Sequence, residues 1–272
     1  MRGEFLDLDG CRLYYYAAGT RGAGEPVLFL HGFPASSHLW GDVVRYMPAG
    51  HRLIVLDQLG YGRSDRPAGA GAVAVAAHAR RALAVLDALN VPEACLVGHD
   101  LGGAVAQWLA VHAPSRVTRL ALVNSVGFDA WPRWKTRVAR ACAGIARLLP
   151  APLLAGEAYA ALVPGFTDPD EGRRALDVFL RPFAQAAGRD ALLAHLSAQR
   201  PSDTSTLDLG AIRAPTAVVH GAHDPFVPVA VAHRLHRAIS GSTLDVIADA
   251  RHFAPLDTPD RVAAVVEGLL KR

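Results

Sequence analysis

Short, unbroken apolar runs set the rhythm of this chain. Residues 27–31 read Val-Leu-Phe-Leu-His, 53–57 Leu-Ile-Val-Leu-Asp, 94–98 Ala-Cys-Leu-Val-Gly and 120–124 Leu-Ala-Leu-Val-Asn. Hydrophobicity that is continuous rather than alternating predicts strands covered on both faces. Helices are expected between them, most clearly over 73–89 and 101–112. After Ile212 the rhythm resumes, with strands expected at 216–220 and 243–247 and helices at 229–239 and 259–271. Near the start, Asp9-Gly10 separates two strand-like segments, 5–8 and 12–17, and suits a hairpin turn. Alternating strand and helix predicts an α/β fold: a mainly parallel sheet flanked by helices.

Residues 128–205 interrupt the pattern. They hold no strand-like run, three expected helices (135–149, 170–183 and 190–199), and the bulky side chains Trp131, Trp134, Tyr159, Phe166, Phe179 and Phe183. An all-helical insertion between strands of such a core reads as a helical cap. The division is then core 1–127, cap 128–205 and core 206–272. Because ligands of open α/β sheets bind at the carboxyl ends of the strands, the cap is expected over that edge.

Composition narrows the picture. With 51% hydrophobic residues in 272, the chain can bury a sizeable core, which excludes wholesale disorder. Its 28 basic and 25 acidic residues are interspersed, so there is no basic stripe for nucleic acid or a membrane surface. Three cysteines (Cys11, Cys95, Cys142) leave one unpaired in any disulfide scheme, which points to a reducing compartment. Acids arrive before any apolar leader could form, and a cytoplasmic protein is expected.

The chemistry gathers where strands end. Gly98-His99-Asp100-Leu101-Gly102-Gly103 follows an apolar run and opens a helical one, the strand–turn–helix setting of a nucleophile elbow with Asp in place of Ser. Taken alone, Asp100 could simply cap the helix. Other loops match as well. The chain resembles α/β-hydrolases over essentially its whole length, and its elbow resembles the subgroup of epoxide hydrolases and haloalkane dehalogenases. That resemblance implies an oxyanion hole from the N–H groups of Phe33, in His31-Gly32-Phe33-Pro34, and Leu101. It gives a structural role to the loop 57–65, Asp-Gln-Leu-Gly-Tyr-Gly-Arg-Ser-Asp. It also names Asp224, in Gly221-Ala222-His223-Asp224-Pro225, as the triad acid and His252, in Arg251-His252-Phe253, as the base. Asp129 is the runner-up acid. The Phe33–Pro34 bond is expected to be cis.

A carboxylate nucleophile suits attack on an sp³ carbon, giving an alkyl–enzyme ester that water then hydrolyses. The leaving group is an epoxide oxygen or a halide. The substrate is a small organic molecule, water is the co-substrate, and no metal or organic cofactor is called for. Dehalogenases of the resembled subgroup usually carry Trp after the nucleophile, where this chain has Leu101; His-Gly-Phe-Pro is closer to epoxide hydrolases. Those use two cap tyrosines as proton donors, and this cap has only Tyr159, with Trp131, Trp134 or His195 as further donors. Tyr159, Trp131, Trp134, His31 and Pro34 are therefore the expected substrate-binding residues. Epoxide hydrolysis is the expected activity and haloalkane hydrolysis the alternative. A natural-product tailoring enzyme or a small-molecule binder on the same scaffold completes the set.

Overall fold

The computed structural model describes residues 3–19, 24–66, 69–131, 141 and 143–272. Eight strands form one sheet: β1 (Glu4–Leu8), β2 (Cys11–Gly19), β3 (Val27–Leu30), β4 (Arg52–Leu56), β5 (Ala94–His99), β6 (Val117–Val123), β7 (Thr216–Gly221) and β8 (Thr243–Ile247). Their order is β1-β2-β4-β3-β5-β6-β7-β8. The first two strands are antiparallel to each other and β2 is antiparallel to β4; every later pairing is parallel. The hairpin turn falls at Asp9 and Gly10, both with positive φ (50° and 75°), as a tight two-residue turn between twisted strands requires.

The apolar runs are explained by two separate cores. Val27 and Phe29 of β3 face a cluster with Trp40, Val43, Val262 and Val266, from the helices Gly41–Tyr46 and Pro259–Leu270 and the turn before the first. Leu28 and Leu30 face the opposite cluster, with Val85 and Leu86 of Val75–Ala88, Val105 of Leu101–His112 and Leu235 of Val229–Ala238. A strand wedged between two helical layers has no face for polar residues, so its sequence does not alternate.

Between β6 and β7 the described chain is helical: Ala143–Ala146, Ala151–Leu162, Pro169–Leu180, Ala186–Ala198 and Ser202–Ser205. The expected helix over 135–149 is described only in its last part, and Trp134 lies outside the described residues. The helix Ala151–Leu162 was not expected. Its flanking Pro150 and Pro152 look like breakers, yet they sit at the helix start, where a missing N–H costs nothing. Pro169–Leu180 begins on Asp168, whose carboxylate accepts from Asp170 N (2.8 Å). These helices dock on the loop that follows β8. Phe166 stacks on Phe253 (4.2 Å between ring centres, 16°), Phe253 N donates to Gly165 O, and Arg251 Nη1 donates to Pro164 O. Among the described residues no helix is long and apolar enough to cross a membrane.

The helix start after β5 lies so close to the end of β3 that glycine is obligatory at the elbow. A Cβ on Gly102 would lie 2.2 Å from the Leu30 carbonyl oxygen, a backbone atom that cannot swing aside. Gly102→Ala is expected to destabilise the protein by about 3 kcal/mol or more, in the overpacking range. Chemical denaturation measures this; a loss under about 1 kcal/mol would show that the elbow can relax.

Candidate active site

Asp100 follows β5 at φ 48°, ψ −115°, a conformation that a non-glycine residue adopts only when its surroundings impose it. Its carbonyl begins the helix, accepting from Gly103 N and Ala104 N. Its side chain makes no capping hydrogen bond, so helix capping does not account for the carboxylate. Instead Oδ2 accepts from Phe33 N at 3.0 Å, and Leu101 N also acts on the carboxylate. Of the two N–H groups expected as oxyanion donors, that of Phe33 is thus hydrogen-bonded to the Asp100 carboxylate. The Phe33–Pro34 bond is cis.

Asp224 and His252 meet across two further loops. His252 Nδ1 donates to Asp224 Oδ2 at 2.8 Å, with the side chains 3% and 0% exposed. Asp224 is held from every side. Its Oδ1 accepts from Phe226 N (2.7 Å) and Val227 N (2.9 Å), and its Oδ2 accepts also from Asn124 Nδ2 (2.8 Å). Asp129, the other candidate acid, lies on the surface beside Arg234 at 3.3 Å.

The electrostatics follow from burial and pairing. Burial alone would raise Asp224, but His252, His220 and the Asn124 amide outweigh it and hold its pKa to about 2. Burial would depress His252; the Asp224 charge and hydrogen bond prevail, with help from Asp100, and lift it above the usual histidine value. Asp100 is raised by burial, against the pull of His252 and the Leu101 and Phe33 N–H groups.

Other expected residues are placed differently. His31 is fully buried and spends both ring nitrogens on the protein: Nδ1 donates to Gly32 O (2.9 Å) and Nε2 accepts from Gln58 N (3.0 Å). It braces the Phe33 loop and has no nitrogen left for a ligand; Pro34 beside it is buried. Trp131 is buried as well. Its indole N–H is committed to Thr204 Oγ1 at 2.7 Å, which in turn donates to Phe128 O, so it has no donor to offer a leaving group. Tyr159 is half-buried in an outward hollow of about 330 Å³ with Leu176, Asp177 and Arg181, a hollow that Asp100 does not line. Tyr61, in the loop after β4, is a buried phenol whose ring packs against Phe33, and burial, followed by the Asp100 charge, holds its pKa above the usual value.

Two further residues support this arrangement. Asn124, at φ 44° after β6, joins the Asp224 carboxylate to the Arg251 carbonyl (3.0 Å). His99 Nε2 donates to the His252 carbonyl at 2.9 Å from inside the core. The signal for Asn124 was present, a polar residue closing an apolar run, but polar run ends are common and its partners lie about a hundred positions away.

Asp224→Asn keeps the shape and removes the charge that opposes burial. The His252 pKa should then fall below its ordinary value of about 6.5, where wild type lies above it. Histidine titration by NMR reads both; an unmoved pKa would mean that Asp224 is not what charges His252.

The comparisons agree with this architecture. Residues 25–259 match the model of the alpha/beta hydrolase fold family. "Putative carbamate hydrolase RutD" of Variovorax paradoxus is 35% identical over 238 residues, 85% of this chain and 84% of that protein. "Haloalkane dehalogenase 2" of Mycobacterium bovis is 29% identical over 283 residues, 97% and 93% of the two chains. Among solved structures, a hydrolase from Pseudomonas aeruginosa superposes with a TM-score of 0.83 at 26% identity, covering 99% of this chain and 98% of that one. With its parallel sheet, its elbow after β5 and the family match over most of its length, this chain belongs to the alpha/beta hydrolase fold family.

Proposed function

We propose that this hydrolase opens an electrophilic sp³ carbon through an alkyl ester on Asp100, and that its substrates are epoxides. The observation that carries the reading is an aspartate at the elbow, its carboxylate on the Phe33 N–H, in a site that also holds an Asp224–His252 pair. A serine there would attack acyl carbons. A carboxylate attacking an acyl carbon would make a mixed anhydride, which is no easier to form than the bond it replaces. Attack on an sp³ carbon gives an ordinary ester, which a base and an oxyanion hole can hydrolyse.

In the first step Asp100 attacks carbon and the carbon–oxygen bond breaks. In the second, His252 removes a proton from water, and the hydroxide adds to the Asp100 carboxyl carbon. The Phe33 and Leu101 N–H groups stabilise the oxyanion, and collapse releases the alcohol and restores the carboxylate. Asp224 fixes the imidazole with Nδ1–H inward, leaving Nε2 as the base, and stabilises the imidazolium. The raised His252 pKa makes it a stronger base, and it must be neutral to act. Turnover limited by hydrolysis should therefore fall on the acid side as His252 gains a proton, with the Asp224 charge still holding that pKa up once Asp100 is esterified and its own charge lost. The helices of 128–205 serve as the cap, docked on the His252 loop through Phe166 and Gly165.

Haloalkane hydrolysis is the second reading, favoured by a similarity to a haloalkane dehalogenase that runs almost the full length of both chains. Against it stand Leu101 after the nucleophile and the committed indole of Trp131.

Intact-protein mass spectrometry of His252→Ala separates these cases. An epoxide adds its whole mass to the chain, whereas a haloalkane adds its mass less that of the hydrogen halide. The epoxide increment is expected, and Asp100→Ala should show none. Labelling of Asp100→Ala would name the wrong nucleophile, and a haloalkane increment alone would select the second reading.

A further inference from the structure

A buried cluster beside the oxyanion loop is left unused by this mechanism. Tyr61, in the loop after β4, lies face to face with His195 of Ala186–Ala198, 3.8 Å between ring centres at 27°. His78 of Val75–Ala88 lies parallel to His195 at 6.1 Å. All three side chains are buried. The Tyr61 hydroxyl and His78 Nε2 have no hydrogen-bond partner among the described residues, and the His195 ring, which the Gly60 backbone touches, makes no hydrogen bond of good geometry there. Buried polar atoms are normally paired, and unsatisfied ones gathered in one place mark a site built to meet another polar group.

Its position indicates which group. The Tyr61 ring makes edge contacts with His31 at 5.0 Å and Phe33 at 6.4 Å, directly under the loop whose N–H touches Asp100. His195 descends from the helical interval to close the other face. It is admitted by Gly60, where a Cβ would fall 2.3 Å from His195 Nε2 and the backbone has φ +89°. The cluster therefore joins the core to the helices above it, within the neighbourhood of the nucleophile.

We propose that Tyr61 is the proton donor to the departing epoxide oxygen and that His195, stacked on its ring, positions it. The assignment rests on the alkyl-ester reading and supplies what Tyr159 and Trp131 do not. Burial, and then the Asp100 charge, hold the Tyr61 phenol well above its usual pKa, so it is a neutral O–H when substrate arrives. Asp100 Oδ attacks carbon, the carbon–oxygen bond breaks with its electron pair on oxygen, and Tyr61 gives that oxygen its proton. In the hydrolytic step His252 takes a proton from water, and this proton returns to the phenolate. One epoxide and one water leave as one diol, with nothing oxidised or reduced. A halide departs with its own charge and needs no such proton.

The test uses this difference. In the His252→Ala protein, where the ester accumulates, the rate of adduct formation is measured by quenched mass spectrometry. An epoxide is compared with a bromoalkane of the same carbon skeleton, with and without Tyr61→Phe. Loss of a general acid should slow the epoxide by about 10²-fold or more and change the bromoalkane rate by less than about threefold. Since the hydroxyl has no partner, Tyr61→Phe should not lower Tm. An epoxide rate unchanged by Tyr61→Phe overturns the proposal. So does equal slowing on both substrates with a lowered Tm, which would make the hydroxyl structural. Absence of any adduct in His252→Ala itself overturns the alkyl-ester reading, and this assignment with it; adducts from the bromoalkane alone overturn the assignment.

Discussion

The backbone at Asp100 is the constraint on which the site depends. A non-glycine residue at φ 48° costs on the order of 1–3 kcal/mol, and it persists only if its neighbours leave no alternative. Here β5 fixes the residue from below, and the helix Leu101–His112 starts on its carbonyl from above. Gly98 and Gly102 let the turn close: a Cβ on Gly98 would meet the Gly102 carbonyl oxygen at 2.4 Å. The strain aims the carboxylate out of the sheet toward Phe33 N.

The sheet is the scaffold that brings distant loops to that carboxylate. Phe33 follows β3, Asp224 follows β7 and His252 follows β8, all at the carboxyl ends of parallel strands. Each loop is then tied to another. His31 joins its own loop to Gln58, Asn124 joins Asp224 to Arg251, and His99 holds the His252 carbonyl. The charged members are buried yet compensated: Asp224 has three hydrogen-bond donors besides its ion-pair partner, which is what makes an interior carboxylate tolerable.

What the sequence disclosed follows from the range over which each signal acts. Strands buried on both faces leave local, continuous runs, and the observed strands fall on them within a few residues. The hairpin was legible because a two-residue turn with positive φ demands Asp-Gly chemistry. The Asp100, Asp224 and His252 loops were legible as motifs. Partnership was not: nothing in 120–124 says that Asn124 meets Asp224, nor anything in the interval 186–198 that His195 stacks on Tyr61. Trp131 shows the same limit. A tryptophan in a helical insertion reads equally well as a donor and as packing, and only the Thr204 hydroxyl at 2.7 Å decides between them. Tyr159 was favoured because it is the one phenol between 128 and 205, whereas Tyr61, which packs against Phe33, comes from a core loop read as purely structural.

The covalent role of Asp100 is the centre of this account, and one isotope experiment addresses it directly. A single turnover of excess wild-type enzyme with an epoxide in H2¹⁸O, followed by proteolysis and mass spectrometry, locates the label. Water that attacks an Asp100 ester adds to the carboxyl carbon. The account therefore predicts ¹⁸O in the peptide carrying Asp100 and unlabelled oxygen in the diol. Label in the diol with none in that peptide would mean that water attacks the substrate carbon itself, and would contradict the ester.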